Sequence, residues 1–291
     1  CRRNLFAVSG LIAGADISVL TFTCQDRRGI VAAVTGELAD CGGFIVDSQQ
    51  YADTDSDRFF MRVAFADGAG FADRLPVIAD RFGFDWSLCA ASAKPRVVIA
   101  CSTTSHCLNA LLHRWSTGTL AIEPVAVVSN HDVLRDLAEW HGVPFHHLPV
   151  DAVTRADQER ALLDLYRGAG AELLVLARYM QILSPAFVDA LAGRCINIHH
   201  SFLPSFKGAR PYHQAHARGV KLIGATAHFV TSDLDEGPII EQAVERVDHR
   251  ASANDLVATG RDIEAQVLAR AVGWFAERRI LLNGARTVVF R

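Results

Sequence analysis

Residues 17–23, ISVLTFT, alternate apolar and polar side chains with the two-residue period of a strand. The next apolar set, Ile30, Val31, Val34 and Leu38, recurs at helical spacing within DRRGIVAAVTGELADCGG, and the glycine pair at its end marks a stop. Two further strand-like runs, FIVDSQQYA and RFFMRVAF, flank an Asp/Ser/Thr-rich turn at 53–57. A helical FADRLPVIADRFG and a short strand DWSLCA complete the order βαββαβ, the ferredoxin-like plan. ASAKP, at 91–95, then has the small residues and proline of a linker.

From Arg96 the pattern changes. RVVIA, IEPVAVVS, VPFHHLPV, AELLVLA and RCINIH are short apolar runs separated by helical segments near 105–117, 131–140 and 156–168. Such alternation predicts parallel strands with crossover helices, hence a doubly wound, mostly parallel α/β domain. LIGATAHFV and GPIIEQAVERV predict two longer strands joined through TSDLDEG, and 252–278 predicts a long helix. The expected division is therefore 1–93 and 94–291, which a chain of 291 residues supports with a core in each part.

Composition narrows the function classes. Half the residues are hydrophobic and the net charge is only −3, so a polyanion-binding surface, and with it a nucleic-acid partner, is not expected. Through Ala93 the chain carries 8 Lys/Arg against 12 Asp/Glu, and beyond it 21 against 20, so the acidity lies in the first part. Seven cysteines without a CxxC pair argue against a disulfide framework and a thiolate zinc site, and a reducing cytoplasm is the expected location. The opening CRRNLFAVSGLIAGA places a basic pair before an apolar run in the manner of an export signal, but Ser9 and Gly10 dilute it; an upstream extension is expected instead. No run approaches ~20 uninterrupted apolar residues, so no membrane span is expected.

The loop after the first strand of the second domain, ACSTTSHCLNALL, contains neither GxGxxG nor GxxxxGK[ST], which removes nucleotide cofactors from consideration. His106 in that loop reads first as a capping or surface group, with a ligand contact at a helix start as the alternative. In doubly wound folds the site lies beyond the carboxyl ends of the strands. There INIHH sets Asn197 and His199 two residues apart, on one side of a strand end, with Ile196 and Ile198 facing the other way. An amide N–H and an imidazolium so placed both donate to one developing oxyanion. DLDEG supplies carboxylates for a base, although an acidic loop alone is usually a solvated turn. HQAH at 213–216 lacks a third ligand at a known spacing, and HGVPFHH reads as strand.

With these residues in place, the second domain resembles the folate-dependent formyltransferase family. The resemblance rests on Asn197-Ile198-His199 followed by SFLPSFKG, on ARYMQIL at 177–183, and on GATAHFV with DLDEGPII. The first domain, from TFTCQDRRGIVAAVTGELADCGGFIVDSQQYAD to RFFMRVAF, resembles an ACT domain. The family's amine-accepting branch holds a substrate phosphate with a glycine- and Ser-Asn-bearing loop; STTSHCLNALL lacks it. The pairing of an ACT domain with this catalytic domain resembles the branch in which water replaces the amine. It implies hydrolysis of 10-formyltetrahydrofolate to tetrahydrofolate and formate, balancing one-carbon folate pools and supplying formate for purine synthesis.

The resemblance further implies that Asp235 activates water while His199 and Asn197 stabilise the formyl oxyanion. Met180, Gln181, Leu183, Asp233 and Leu234 would bind the pterin, largely through main-chain groups; Gln181 stands where relatives often carry arginine. Asp26, Arg28, Gly29 and Ile30 would bind an amino-acid effector, with Arg28 where many ACT domains carry proline. No cofactor and no metal are implied, folate and water are the small-molecule partners, and a homo-oligomer is expected. Two main alternatives remain, formyl transfer to an amine and a non-catalytic folate- or amino-acid-binding regulator, with a metal hydrolase as a fainter third.

Overall fold

The computed structural model describes residues 16–151, 153–201 and 211–291. The export-like opening segment and most of the SFLPSFKG loop lie outside them. The chain forms two compact units. One comprises Cys1–Ala93, Glu277–Asn283 and Val288–Arg291, and the other Lys94–Ala276 and Gly284–Thr287. The division expected from the sequence kept everything after 94 together, whereas the structure returns two C-terminal segments to the first unit.

That first unit holds β1 (Ile17–Gln25), α1 (Ile30–Asp40), β2 (Phe44–Asp53), β3 (Arg58–Ala66), α2 (Phe71–Phe82) and β4 (Asp85–Ala90). The sheet is antiparallel in the order β2-β3-β1-β4, as the ferredoxin-like reading requires. Its core joins Leu20, Phe22, Met61, Val63 and Phe65 of the strands to Ile30, Val34 and Leu38 of α1 and Phe71, Leu75 and Ile78 of α2. Ile30, expected at an effector site, has its side chain buried in this core, while Asp26, Arg28 and Gly29 are exposed.

Strand β3 is buried along nearly its whole length because both faces are covered. Met61, Val63 and Phe65 face the helices, and Phe60 packs with Leu281 and Phe290. Leu281 belongs to β12 (Ile280–Asn283) and Phe290 directly follows β13 (Arg286–Val289); the two strands form a C-terminal hairpin the sequence pattern did not reveal. On the same side Arg62 donates to Asp47 Oδ2 at 2.8 Å and to the Glu277 carbonyl at 3.2 Å, and Asn283 donates to Asp53 at 2.6 Å.

The second unit holds β5 (Arg96–Cys101), α3 (His106–Ser116), β6 (Glu123–Ser129), α4 (Arg135–Trp140), β7 (Phe145–His147), α5 (Arg155–Gly168), β8 (Leu173–Leu176), α6 (Pro185–Ala190), β9 (Cys195–His199), α7 (Pro211–Arg218), β10 (Leu222–Phe229), β11 (Ile239–Arg246) and α8 (Ala253–Ala276). The order is β11-β10-β9-β8-β5-β6-β7, with β5 to β9 parallel and β10 and β11 antiparallel at one end. Its central strands are buried almost throughout, as parallel strands covered on both faces are. The run at 143–150 supplies only the three-residue edge strand β7. Helix α6 escaped the periodicity because it spans six residues, yet Ser184 caps it by accepting from Phe187 N, with Pro185 at its first turn. Among the described residues, no helix is long and apolar enough to cross a membrane.

Candidate active site

The strand order reverses around β5: β6 lies on one side and β8 on the other, opening a crevice at their carboxyl ends. The segment after β8 crosses it and is pinned at three points. Met180 N donates to Ser102 Oγ at 3.1 Å, and Tyr179 OH accepts from Gln158 at 2.6 Å. At the far end, buried Glu159 accepts from Ser184 N at 2.8 Å and also from its hydroxyl. With its ends held, the intervening segment exposes Met180 and Ile182 at 58% and 60% to a cleft of about 340 Å³.

Asn197, His199 and Asp235 converge on that cleft. In β9, Ile196 and Ile198 are buried in the sheet, which turns Asn197 and His199 to the opposite side, as their spacing predicted. Asp235 comes from the β10–β11 connection, where Glu236 N bonds the Asp233 carbonyl at 3.2 Å. A Cβ at Gly237 would lie 1.8 Å from the Phe229 carbonyl oxygen, so only glycine fits where this loop rejoins β11. Asp235 itself sits at φ 58°, a left-handed conformation that Asp tolerates better than most residues. One of its oxygens lies 3.2 Å from His199 Nδ1. That contact, outweighing partial burial, holds the carboxyl below its usual range.

A residue the sequence reading missed completes the group. His228 is buried at 2% exposure and is the cross-strand partner of Asn197. Its Nδ1 lies 2.8 Å from the Phe229 carbonyl, which accepts only, so Nδ1 carries the proton. Burial favours the neutral ring. Its Nε2 therefore accepts from Asn197 Nδ2 at 3.3 Å, which orients the amide. Nothing in GATAHFV signals this, because the pairing depends on the register between β9 and β10.

Beside the triad lies a buried polar cluster. Arg178, also left-handed at φ 64°, donates from Nη1 to His200 Nδ1 at 2.6 Å, and its Nε lies 3.3 Å from Glu264. Glu264, in α8 and 1% exposed, accepts from His106 Nε2 at 2.9 Å and from the Tyr212 hydroxyl at 2.7 Å. Burial pushes the Glu264 carboxyl up, but His106, the Arg178 charge and Tyr212 together outweigh it and the net direction is down. His106 is thus neither cap nor surface group, correcting the sequence reading. His106, Cys107 and Glu264 bring metal-ligand atoms within 4.8 Å of one another, but the Arg178 guanidinium and the His106 N–H already occupy the carboxylate. His213 and His216 are exposed on α7.

Of the expected binding residues, Met180, Gln181, Leu183 and Leu234 line the cleft. Asp233 is exposed, does not line it, and contributes its carbonyl to the turn.

Fold and site together define a protein of the formyl transferase class, and the family model described as formyl transferase matches residues 95–272. The chain is 51% identical over 280 residues to formyltetrahydrofolate deformylase of Corynebacterium sp. (strain P-1), covering 94% of this chain and 98% of that one. It is 48% identical to the Bacillus subtilis protein of the same name, over 94% of each. The crystal structure of formyltetrahydrofolate deformylase from Burkholderia mallei has a TM-score of 0.92 at 52% identity, over 95% of this chain and 100% of that one. Glycinamide ribonucleotide transformylase 1 from Symbiobacterium toebii has a TM-score of 0.64 at 30% identity, over 68% of this chain and 95% of that one. The chain belongs to the formyltetrahydrofolate deformylase family, as the ordered motifs of its second domain implied.

Proposed function

We propose that the protein hydrolyses 10-formyltetrahydrofolate to tetrahydrofolate and formate at the Asn197–His199–Asp235 centre. The carrying observation is the convergence of these three side chains on one cleft, with Asp235 3.2 Å from His199. His228 Nε2 is 3.8 Å from the second Asp235 oxygen and is already filled by the Asn197 N–H, so it offers that oxygen no proton. The free oxygen takes a proton from water as the water oxygen attacks the formyl carbon. Negative charge then develops on the formyl oxygen, where Asn197 and His199 donate. Collapse of the tetrahedral intermediate breaks the carbon–N10 bond, N10 takes the proton, and formate leaves.

The pterin lies along the segment 180–183, with main-chain groups there and at Leu234 reading its donors and acceptors and Met180 and Leu234 covering its faces, while Asp233 serves the turn that presents Leu234. Gln181, which replaces the arginine frequent in relatives, takes part through its backbone. The exposed loop of Asp26, Arg28 and Gly29 is the proposed place for an amino-acid effector, and the first unit is proposed to carry homo-oligomer contacts. The free cysteines fit a reducing cytoplasm.

Formate release without any amine, by wild type and by Asp235→Ala, tests the assignment. Alanine is expected to lower kcat by on the order of 10³. Asp235→Asn, which keeps the left-handed backbone, is expected to lose the same rate and so separates charge from loop geometry. Substantial turnover in both variants overturns Asp235 as the base. Release that requires glycinamide ribonucleotide or another amine favours the transferase reading, and no release under any condition favours the non-catalytic regulator.

A further inference from the structure

We propose that His200 is a further catalytic residue, whose Nε2–H holds the nucleophilic water against Asp235, and that Arg178 is the positioning residue that fixes it. The inference rests on the hydrolase reading above and adds the group that receives its second substrate. A guanidinium only donates, so the 2.6 Å contact from Arg178 Nη1 makes His200 Nδ1 the acceptor and leaves its proton on Nε2. His200 lines the same cleft as the triad, and its ring stacks on His199 with centroids 4.8 Å apart and planes at 21°. Among the described residues, Nε2 has no hydrogen-bond partner. Burial and the neighbouring Arg178 and His199 charges hold the ring neutral, down to about 4. It is therefore a donor that carries one proton and no charge, and it does not compete to protonate Asp235.

The division of labour follows from counting donors and acceptors. The formyl oxygen requires donors, which Asn197 and His199 supply. The water must give one hydrogen to Asp235 and turn a lone pair toward the formyl carbon, and its remaining lone pair needs a donor. The His200 Nε2–H supplies it. Behind it, Arg178 is held by buried Glu264, which His106 of α3 and Tyr212 of α7 hold in turn. Three helices thus support one guanidinium whose backbone is itself strained, a pattern found where surroundings over-determine a functional geometry.

The test uses the full-length protein and two nucleophiles. Water yields formate; hydroxylamine, added as a small amine that brings its own lone pair, yields formohydroxamate, with tetrahydrofolate released in both. His200→Phe keeps the ring but no donor and is expected to lower kcat for formate release about 10²-fold. KM for 10-formyltetrahydrofolate should stay unchanged, and the hydroxamate-to-formate ratio should rise. His200→Gln, which restores an N–H near the Nε2 position, is expected to recover most of the formate rate. Arg178→Met should lower formate release in the wild-type background but little further in His200→Phe.

Equal loss of both products, no rescue by glutamine, or an unaffected formate rate in His200→Phe overturns the proposal while leaving the hydrolase reading intact. Should the phenylalanine variant fail to fold, the glutamine variant decides: a hydroxamate-to-formate ratio at the wild-type value supports the proposal, and a raised one overturns it. A wild type that releases no formate overturns both readings together.

Discussion

At the scale of residues, two site loops carry non-glycine side chains in the left-handed region, Arg178 at φ 64° and Asp235 at φ 58°. Each aims a charge that extended backbone would send elsewhere. His200 makes a pH prediction possible, because its folded pKa is about 4 against an ordinary 6.5. Between those values the unfolded chain binds a proton that the folded chain does not. Stability therefore falls as pH drops through 6.5, and the loss from this group is complete near 4, amounting to roughly 3 kcal/mol. The groups that face it are Arg178, His199, Glu264, Asp235 and the Tyr212 ring. His228 acts in the same direction, and Asp235, with its lowered value, adds a further loss below the usual carboxylate range. Urea unfolding of wild type and His200→Phe at pH 7 and 4.5 is the check. The variant should lose less stability over that interval, and equal losses would remove His200 from the titration.

At the scale of elements, α8 backs the polar cluster, and its glycines differ in what they meet. A Cβ at Gly260 would lie 2.1 Å from Tyr212 Cζ, so alanine there must push the tyrosine off Glu264. Such overpacking costs about 1–3 kcal/mol. At Gly273 the added carbon would meet only Leu120 at 3.6 Å, an ordinary contact, and helix propensity favours alanine by about 1 kcal/mol. Thermal unfolding should therefore move in opposite directions for Gly260→Ala and Gly273→Ala. Most elements were legible in the periodicity, since Ile30, Val34 and Leu38 bury one face of α1 just as their spacing indicates. Helix α7 was not, because among its described side chains only Tyr212 and Ala215 are buried and its sequence otherwise reads as polar loop.

At the scale of the molecule, the C-terminal hairpin completes a unit begun some 200 residues earlier. Phe60 gains Leu281 and Phe290, Arg62 gains the Glu277 carbonyl, and Asp53 gains Asn283. Removing residues 277–291 should leave Phe60 uncovered and Arg62 and Asp53 short of partners in a sheet otherwise intact. Hydrogen exchange is expected to quicken in β2 and β3 of the truncated chain, and unchanged protection there would show that the first unit stands without its late segments. The unbroken apolar run FFM in β3 was the sequence trace of this two-sided burial, but it does not name what covers the second face.

The sequence by itself determined what local periodicity and strand-end spacing can encode: two domains, the βαββαβ and doubly wound plans, and Asn197 and His199 on one side of a strand with an acidic loop to follow. Chain pattern carries those because they depend on neighbours two to four residues apart. Only the tertiary structure decided that Asp235, which the family resemblance had already singled out, lies 3.2 Å from His199, that His228 orients Asn197, and that His106, Tyr212 and Glu264 gather behind Arg178 and His200. Those pairings span from 22 to 158 positions. They are set by strand register and by helix packing on the sheet, which no local pattern specifies.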